Sequence, residues 1–358
     1  MEDTSAAPDG IGFSYAFTQE TFLVEILERE GWRKALKGER PDFSMLCAMR
    51  PLPGRAPPMP RELKERAQQY RQLHPSPPPE PLAPIRMHAA PGVVALNDKS
   101  NFWLVLQGAR LSHLSPHTIL GEEFHPSGIT ATLNAVQDSP SKLWFFKERH
   151  SDNAKKVKCF TDPSTLEAYI KKYSLDKAPW IWLVQAGVLP LLRNDREPVL
   201  RVYVLVLGQH AYVHREFLLK TLSGEYSEDT DSRCTHVDCV AGDPGVSVMR
   251  GSEWTEYPQV FPKICEAAGL IMAAYKDVLE PDTNLEGCRY SLIGLDVIAT
   301  PERDVKVLEA NCPPALYDVH DDVARRVKME LQEDFYRFVV CSAGRDESMR
   351  GGFEPVGA

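Results

Sequence analysis

The stretch "YSLIGLDVIATPERDVKVLEANCPPAL", from Tyr290 to Leu316, constrains the fold more than any other part of the chain. Two apolar runs flank a Pro-containing turn, a pattern that pairs them as an antiparallel hairpin. With Pro301 to Asp304 as the loop, Thr300 stands opposite Val305, Asp296 opposite Glu309 and Gly294 opposite Asn311. Side chains alternate along a strand, so Asp296, Glu309 and Asn311 share one face. Two carboxylates opposed in a sheet repel each other. Either a hard cation such as Mg²⁺ sits among those oxygens, or a neighbouring Arg or Lys neutralises the pair. The register alone leaves both readings open. Gly294 opposite Asn311 leaves room for a ligand.

At 358 residues the chain is long enough for two or three domains around a large core. A net charge of −9 argues against non-specific binding to nucleic acid or anionic membranes, although it permits a local basic groove. Arg149, Lys155 and Lys156 are candidates for such a groove, but they are too scattered to define one. No run of 18 apolar residues suggests membrane insertion, and the acidic start "MEDTSAAPDG" does not read as a signal or transit peptide. The eight cysteines stand singly, as expected for reduced thiols in the cytoplasm. Cys234, His236 and Cys239 cluster in "CTHVDC", but without a fourth ligand or partner knuckle they read as a thiol-bearing loop rather than a zinc site.

The chain divides by composition. Residues 1–50 form a small N-terminal domain, with helical periodicity in "TFLVEILEREGWRKAL". Residues 51–92 hold twelve of the 29 prolines and read as a linker, interrupted by a helix at "PRELKERAQQYRQL". A central α/β unit spans 93–188, with strands at "KLWFFK" and "PWIWLVQ" and a helix at "PSTLEAYIKKY". From 189 to 342 the pattern is an antiparallel sheet with helices. "VLRVYVLVL" and "AYVHREFLLK" join through "GQH", a long helix follows at "YPQVFPKICEAAGLIMAAYKDVL", and a charged helix runs from about Val319 to Val340. The tail 343–358, with "GRDESMRGGFEPVGA", reads as disordered.

The segment "IGLDVIATPERDVKVLEANCPPAL" resembles the metal-binding hairpin of the tubulin tyrosine ligase-like proteins of the ATP-grasp superfamily. "VLRVYVLVLGQHAYVHREFLLK" is similar to that family's strand pair, "WIWLVQAGVLPLL" to its adenine-clasping strand and hinge, and "GWRKALKGERPDFSML" to a segment near its N-terminus. The resemblance implies an ATP-grasp fold of mixed α/β (α+β) class, with ATP and Mg²⁺ as cofactors. It implies metal ligation by Asp296, Glu309 and Asn311, and nucleotide contacts from Lys147, Arg201, Arg215 and the backbone of Gln185, Ala186, Gly187 and Val188. Arg201, Lys220 and Glu309 become the catalytic candidates. The implied activity is an ATP-dependent carboxylate–amine ligation through an acyl phosphate, joining an amino-acid co-substrate to the tubulin C-terminal tail. The implied setting is the cytoplasm, at microtubules or cilia.

The chain departs from the family in three places. The loop "ERHSDNAKKVKCF" after Lys147 has no glycine where the family has a glycine-rich phosphate loop. The family's Lys-Phe-Asp-Ile-Arg becomes "EPVLR", with Glu197 and Val199 at the Lys and Asp positions. His-Leu-Thr-Asn becomes "HVDC", keeping His236. Lys220 also stands where the family usually has Arg, which leaves the donor amino acid open. These departures keep a second expectation alive, a divergent pseudoenzyme that binds tubulin or nucleotide without ligating.

Overall fold

A computed structural model describes residues 12–16, 22–31, 33–34, 43–46, 87–89, 96–124, 141–149, 156–174, 178–237, 239–275, 288–312, 314–316, 321–342 and 344–357. The expected helix at Pro60 to Leu73 and the centre of the glycine-free loop lie outside these residues.

The strands in chain order are β1 (Gly12–Ala16), β2 (Arg33–Lys34), β3 (Phe43–Leu46), β4 (Met87–Ala89), β5 (Thr118–Leu120), β6 (Trp144–Glu148), β7 (Val157–Phe160) and β8 (Trp182–Ala186). They continue with β9 (Pro198–Leu207), β10 (His210–His214), β11 (Leu218–Thr221), β12 (Ser247–Arg250), β13 (Cys288–Ala299), β14 (Val305–Asn311) and β15 (Phe353–Val356). The helices that cover them are α1 (Phe22–Arg29), α2 (Lys99–Gly108), α3 (Pro163–Ser174), α4 (Tyr257–Ala274) and α5 (Asp322–Phe335). None of the described helices is long and apolar enough to cross a membrane.

The larger sheet is built around β9, which pairs with β13 on one side and with β10 and β11 on the other. Its Val- and Leu-rich sequence suits a strand buried on both faces. Leu200, Val202 and Val204 enter one core with residues of α2 and α4. Tyr203, Leu205 and Leu207 enter the opposite core, with Leu23 and Leu27 of α1 and Ala324, Val327 and Leu331 of α5. The period of two thus sorts β9 between two helix layers. The smaller sheet, in the order β5-β8-β6-β7, packs Phe146, Trp182 and Val184 against Leu166 and Ile170 of α3.

Three expectations are corrected here. The N-terminal strands do not form a separate unit, because β4 pairs in parallel with β13 and β1 to β3 extend the same sheet. The helix in that region ends at Arg29, and Arg33–Lys34 is a strand. The tail is ordered: β15 adds to the edge of β10, and Phe353 is fully buried. Gly351 at φ +58 allows this close packing, since a Cβ there would overlap the Asp334 carboxylate.

The hairpin itself differs near its turn. Ala299, not Thr300, faces Val305, and Thr300–Asp304 close the turn with Arg303 at φ +65. A bulge follows between Asp296 and Val297, and the extra residue on β14 restores Asp296 opposite Glu309 and Gly294 opposite Asn311.

Candidate functional site

A cleft opens between the two sheets, lined by apolar side chains with a few polar groups among them, as small-molecule and cofactor sites are. β6 and β8 bring Lys147, Gln185, Ala186, Gly187 and Val188 to one wall, and β13 and β14 bring Asp296 and Glu309 to the other.

The second wall is a row across three strands. Arg201 on β9 lies opposite Asp296 on β13, which lies opposite Glu309 on β14. The Arg201 guanidinium donates to both Asp296 oxygens, Nε to Oδ1 at 2.6 Å and Nη2 to Oδ2 at 3.0 Å. Asn311 Nδ2 donates to Asp296 Oδ2 at 3.2 Å. Glu309 Oε2 sits 3.1 Å from Nζ of Lys99, a residue with no role in the sequence-based expectation. The opposed carboxylates are therefore neutralised by Arg201 and Lys99. Gly294 does not hold open a ligand space, since a Cβ there would meet Pro314 Cβ at 2.9 Å and Arg201 Cδ at 3.1 Å. It makes room for the arginine stem.

Lys99 begins α2 and is separated from Glu309 by most of the chain. Two contacts bring it there. Asp98 caps α2 through the N–H groups of Ser100 and Asn101. The side chain of Asn97 exchanges hydrogen bonds with the backbone N–H and C=O of Cys312, just beyond β14. Arg149 braces this turn: Nε donates to Asp98 Oδ1 at 2.6 Å, Nη1 to Trp180 O at 3.0 Å and Nη2 to Asn101 Oδ1 at 3.2 Å. Arg149 is consequently buried and unavailable to a surface groove, and Lys156 is paired with Glu148.

On the first wall, Lys147 Nζ donates to Gln185 Oε1 at 2.6 Å, and Gln185 Nε2 donates to Thr118 Oγ1 at 3.2 Å. Burial lowers Lys147 to a pKa of about 8, against the opposing pull of Glu309. Burial pushes the Glu309 carboxyl up, but Lys99 first and Lys147 next outweigh it and hold its pKa at about 2. In the hinge, Ala186 N–H donates to His117 O at 2.8 Å and Gly187 N–H to Leu143 O at 2.7 Å. Those two amides are not available to a ligand. Val188, next along the hinge, makes no internal backbone hydrogen bond through its N–H among the described residues.

Gly187 is held by close approach: a Cβ would lie 2.6 Å from Ser141 Oγ and 2.8 Å from Leu143 Cβ. Gly187→Ala is expected to destabilise the protein by about 1–3 kcal/mol, the range for overpacking. Urea denaturation measures this, and an unchanged midpoint would mean that the hinge relaxes freely around the methyl group.

Four candidates fall outside the cleft lining: Arg201 and Asn311, each bonded to Asp296, and Arg215 and Lys220. Arg215 is half exposed and belongs to the tail: its N–H donates to Gly352 O and its Nη2 to Gly351 O, each at 2.8 Å. Lys220 lies opposite Val199 on the neighbouring strand, so it shares the face of Arg201 without lining the cleft.

Among the described residues, no group of three or more His, Cys, Asp or Glu side chains is placed to hold a metal. The CTHVDC cluster is no exception, because His236 Nε2 is engaged by the carbonyls of Ser227 and Thr230. Two carboxylates with an adjacent Asn are the donor types that suit Mg²⁺, which is commonly held by one or two carboxylates together with substrate phosphates; here both Asp296 oxygens also accept from Arg201, and Glu309 pairs with Lys99.

The sequence model of the Tubulin-tyrosine ligase family matches residues 117–243. That span includes Lys147, the hinge, Glu197, Arg201, Lys220 and His236, and ends before Asp296 and Glu309. No curated protein matches the chain.

Proposed function

We propose that the chain, whose residues 117–243 match the tubulin-tyrosine ligase family, is an ATP-dependent carboxylate–amine ligase that joins an amino acid to a protein carboxylate on the tubulin C-terminal tail. The observation that carries this reading is the convergence of Lys99, Lys147, Asp296 and Glu309 on one cleft with the hinge, with Arg201 bonded behind Asp296.

In this reading a nucleobase lies along the hinge at Val188, and its phosphates extend toward Lys147 and Lys99. Asp296, Glu309 and Asn311 would hold Mg²⁺, which when bound neutralises phosphate charge. An oxygen of the acceptor carboxylate attacks the γ-phosphorus, ADP leaves, and an acyl phosphate forms. The amine of the amino acid then attacks the acyl carbon, inorganic phosphate leaves, and the nitrogen gives up a proton. Arg201, fixed by Asp296, supplies positive charge that needs no reorganisation during transfer. Lys220 stands on the same face as a candidate partner for a carboxylate of the acceptor or of the amino acid.

Thermal shift with ATP and Mg²⁺, followed by mass spectrometry of tubulin incubated with amino acids, tests the reading. It predicts stabilisation by ATP and a peptide heavier by one amino-acid residue. No shift at millimolar nucleotide would end it. The second reading, a nucleotide- or tubulin-binding pseudoenzyme, is favoured by the tight pairing of Asp296 with Arg201 and Glu309 with Lys99. It predicts a shift with ATP but no heavier peptide.

The low pKa of Lys147 gives a further expectation. Below about pH 8 the ammonium is charged and attracts phosphate; above it the amine is neutral. ATP affinity is expected to weaken above about pH 8 by up to about tenfold per pH unit, the limit for one linked proton. Calorimetric titration at several pH values checks this, and Lys147→Met should flatten the profile.

A further inference from the structure

The cleft lining holds Lys99 and Lys147, and with them Glu197 and His236. Both of the latter are more than nine-tenths buried. His236 Nε2 lies 2.9 Å from Ser227 O and 2.9 Å from Thr230 O. A ring nitrogen between two carbonyl oxygens carries a hydrogen, because a lone pair there would face two acceptors. In the neutral ring Nδ1 is then an acceptor, and it has no hydrogen-bond partner. Glu197 Oε2 lies 3.5 Å from it, the outer limit of a hydrogen bond.

Glu197 accepts no closer hydrogen bond from its side chain's surroundings among the described residues. Burial, ahead of the relief given by His236, pushes its carboxyl up. A single proton shared between Glu197 and Nδ1 still leaves the other carboxyl oxygen as an acceptor. A buried acceptor lining a cleft calls for a donor. Phe145, Val157 and Val237 cluster beside His236 and offer apolar faces to a flat neutral ring. The Lys147 ammonium, 5.8 Å from the Phe145 ring, is already bonded to Gln185.

We propose that Glu197, backed by His236, selects the nucleobase by accepting a hydrogen bond from the 6-amino group of adenine. This rests on the nucleotide reading of the cleft and adds to it a residue that determines which nucleotide is held.

The test is calorimetric titration of the full chain with ATP and with inosine triphosphate, each with Mg²⁺. Inosine has an oxo group where adenine has the amine. ATP is expected to bind about tenfold or more tightly than inosine triphosphate. Glu197→Leu should level the two affinities while still binding both, and Glu197→Gln, which keeps a carbonyl acceptor, should retain the preference. Equal affinities in the unaltered protein would overturn the proposal and leave the nucleotide reading standing. A preference undiminished in Glu197→Leu would also overturn it, because the hinge would then read the base. A protein that binds neither triphosphate overturns both. The comparison on the unaltered protein does not depend on any variant folding.

Discussion

Arg201→Met is expected to cost the fold about 3–5 kcal/mol, the usual penalty for leaving one member of a buried ion pair without its partner. Arg201 and Asp296 side chains are only 16% and 15% exposed, and the guanidinium meets the carboxylate through two hydrogen bonds. Methionine keeps the apolar stem beside Gly294 but removes both donors. Asp296 would then retain only the Asn311 amide while still facing Glu309 across the hairpin. Thermal denaturation followed by circular dichroism should show a fall in Tm of roughly 6–12 °C. Added salt should restore little, because a buried charge is poorly screened. The double variant Arg201→Met with Asp296→Leu should recover most of the loss, since apolar replacement of both partners removes the uncompensated charge. A single variant within about 1 kcal/mol of the parent would contradict the buried character of the pair. ATP-dependent ligation should be absent from both variants, so the double variant separates lost stability from lost chemistry.

The same pair marks how far the sequence carries. Alternation and a proline turn made the hairpin legible, because both are local properties of two adjacent segments; the expected pairing of Asp296 with Glu309 holds because the bulge offsets a turn placed one residue out. The bulge was not legible, since nothing in "VKVLEAN" marks which residue will be extra. The compensating cations divide in the same way. Arg201 was found through its strand, whereas Lys99 reaches Glu309 only because Asn97 docks on Cys312, a contact between distant segments. Arg215 was misplaced because "AYVHREFLLK" is two strands: its register on β9 shifts between Val213 and Leu218, and the break at 215–217 turns the arginine toward the tail. The tail's place at the chain terminus suggested disorder, yet Gly351 and Gly352 are the positions that let it pack on Asp334 and His214. Glu197 was visible as a departure and His236 as a retained residue, but their proximity required the fold.

Glu309→Gln is expected to reduce ligation by about 10³-fold, the upper range for removing one preorganised charge-stabilising group. With its pKa held at about 2, Glu309 is ionised at any working pH, so the amide removes a full negative charge at nearly constant shape. The loss reaches Lys147 as well. Glu309 is the strongest influence keeping Lys147 protonated against burial, and without it the lysine pKa should fall further below 8. At neutral pH the variant would then present a neutral amine to the phosphates and bind ATP more weakly. Lowering the pH to about 6 should reprotonate Lys147 and recover ATP binding, but not ligation, because the carboxylate itself remains absent. Mass spectrometry of the acceptor, with ATP titrations at pH 6 and 7.5, reads the two effects separately. Product formation equal to the parent's would remove Glu309 from the chemistry. Recovery of ligation together with binding at the lower pH would reduce its role to setting the charge of Lys147.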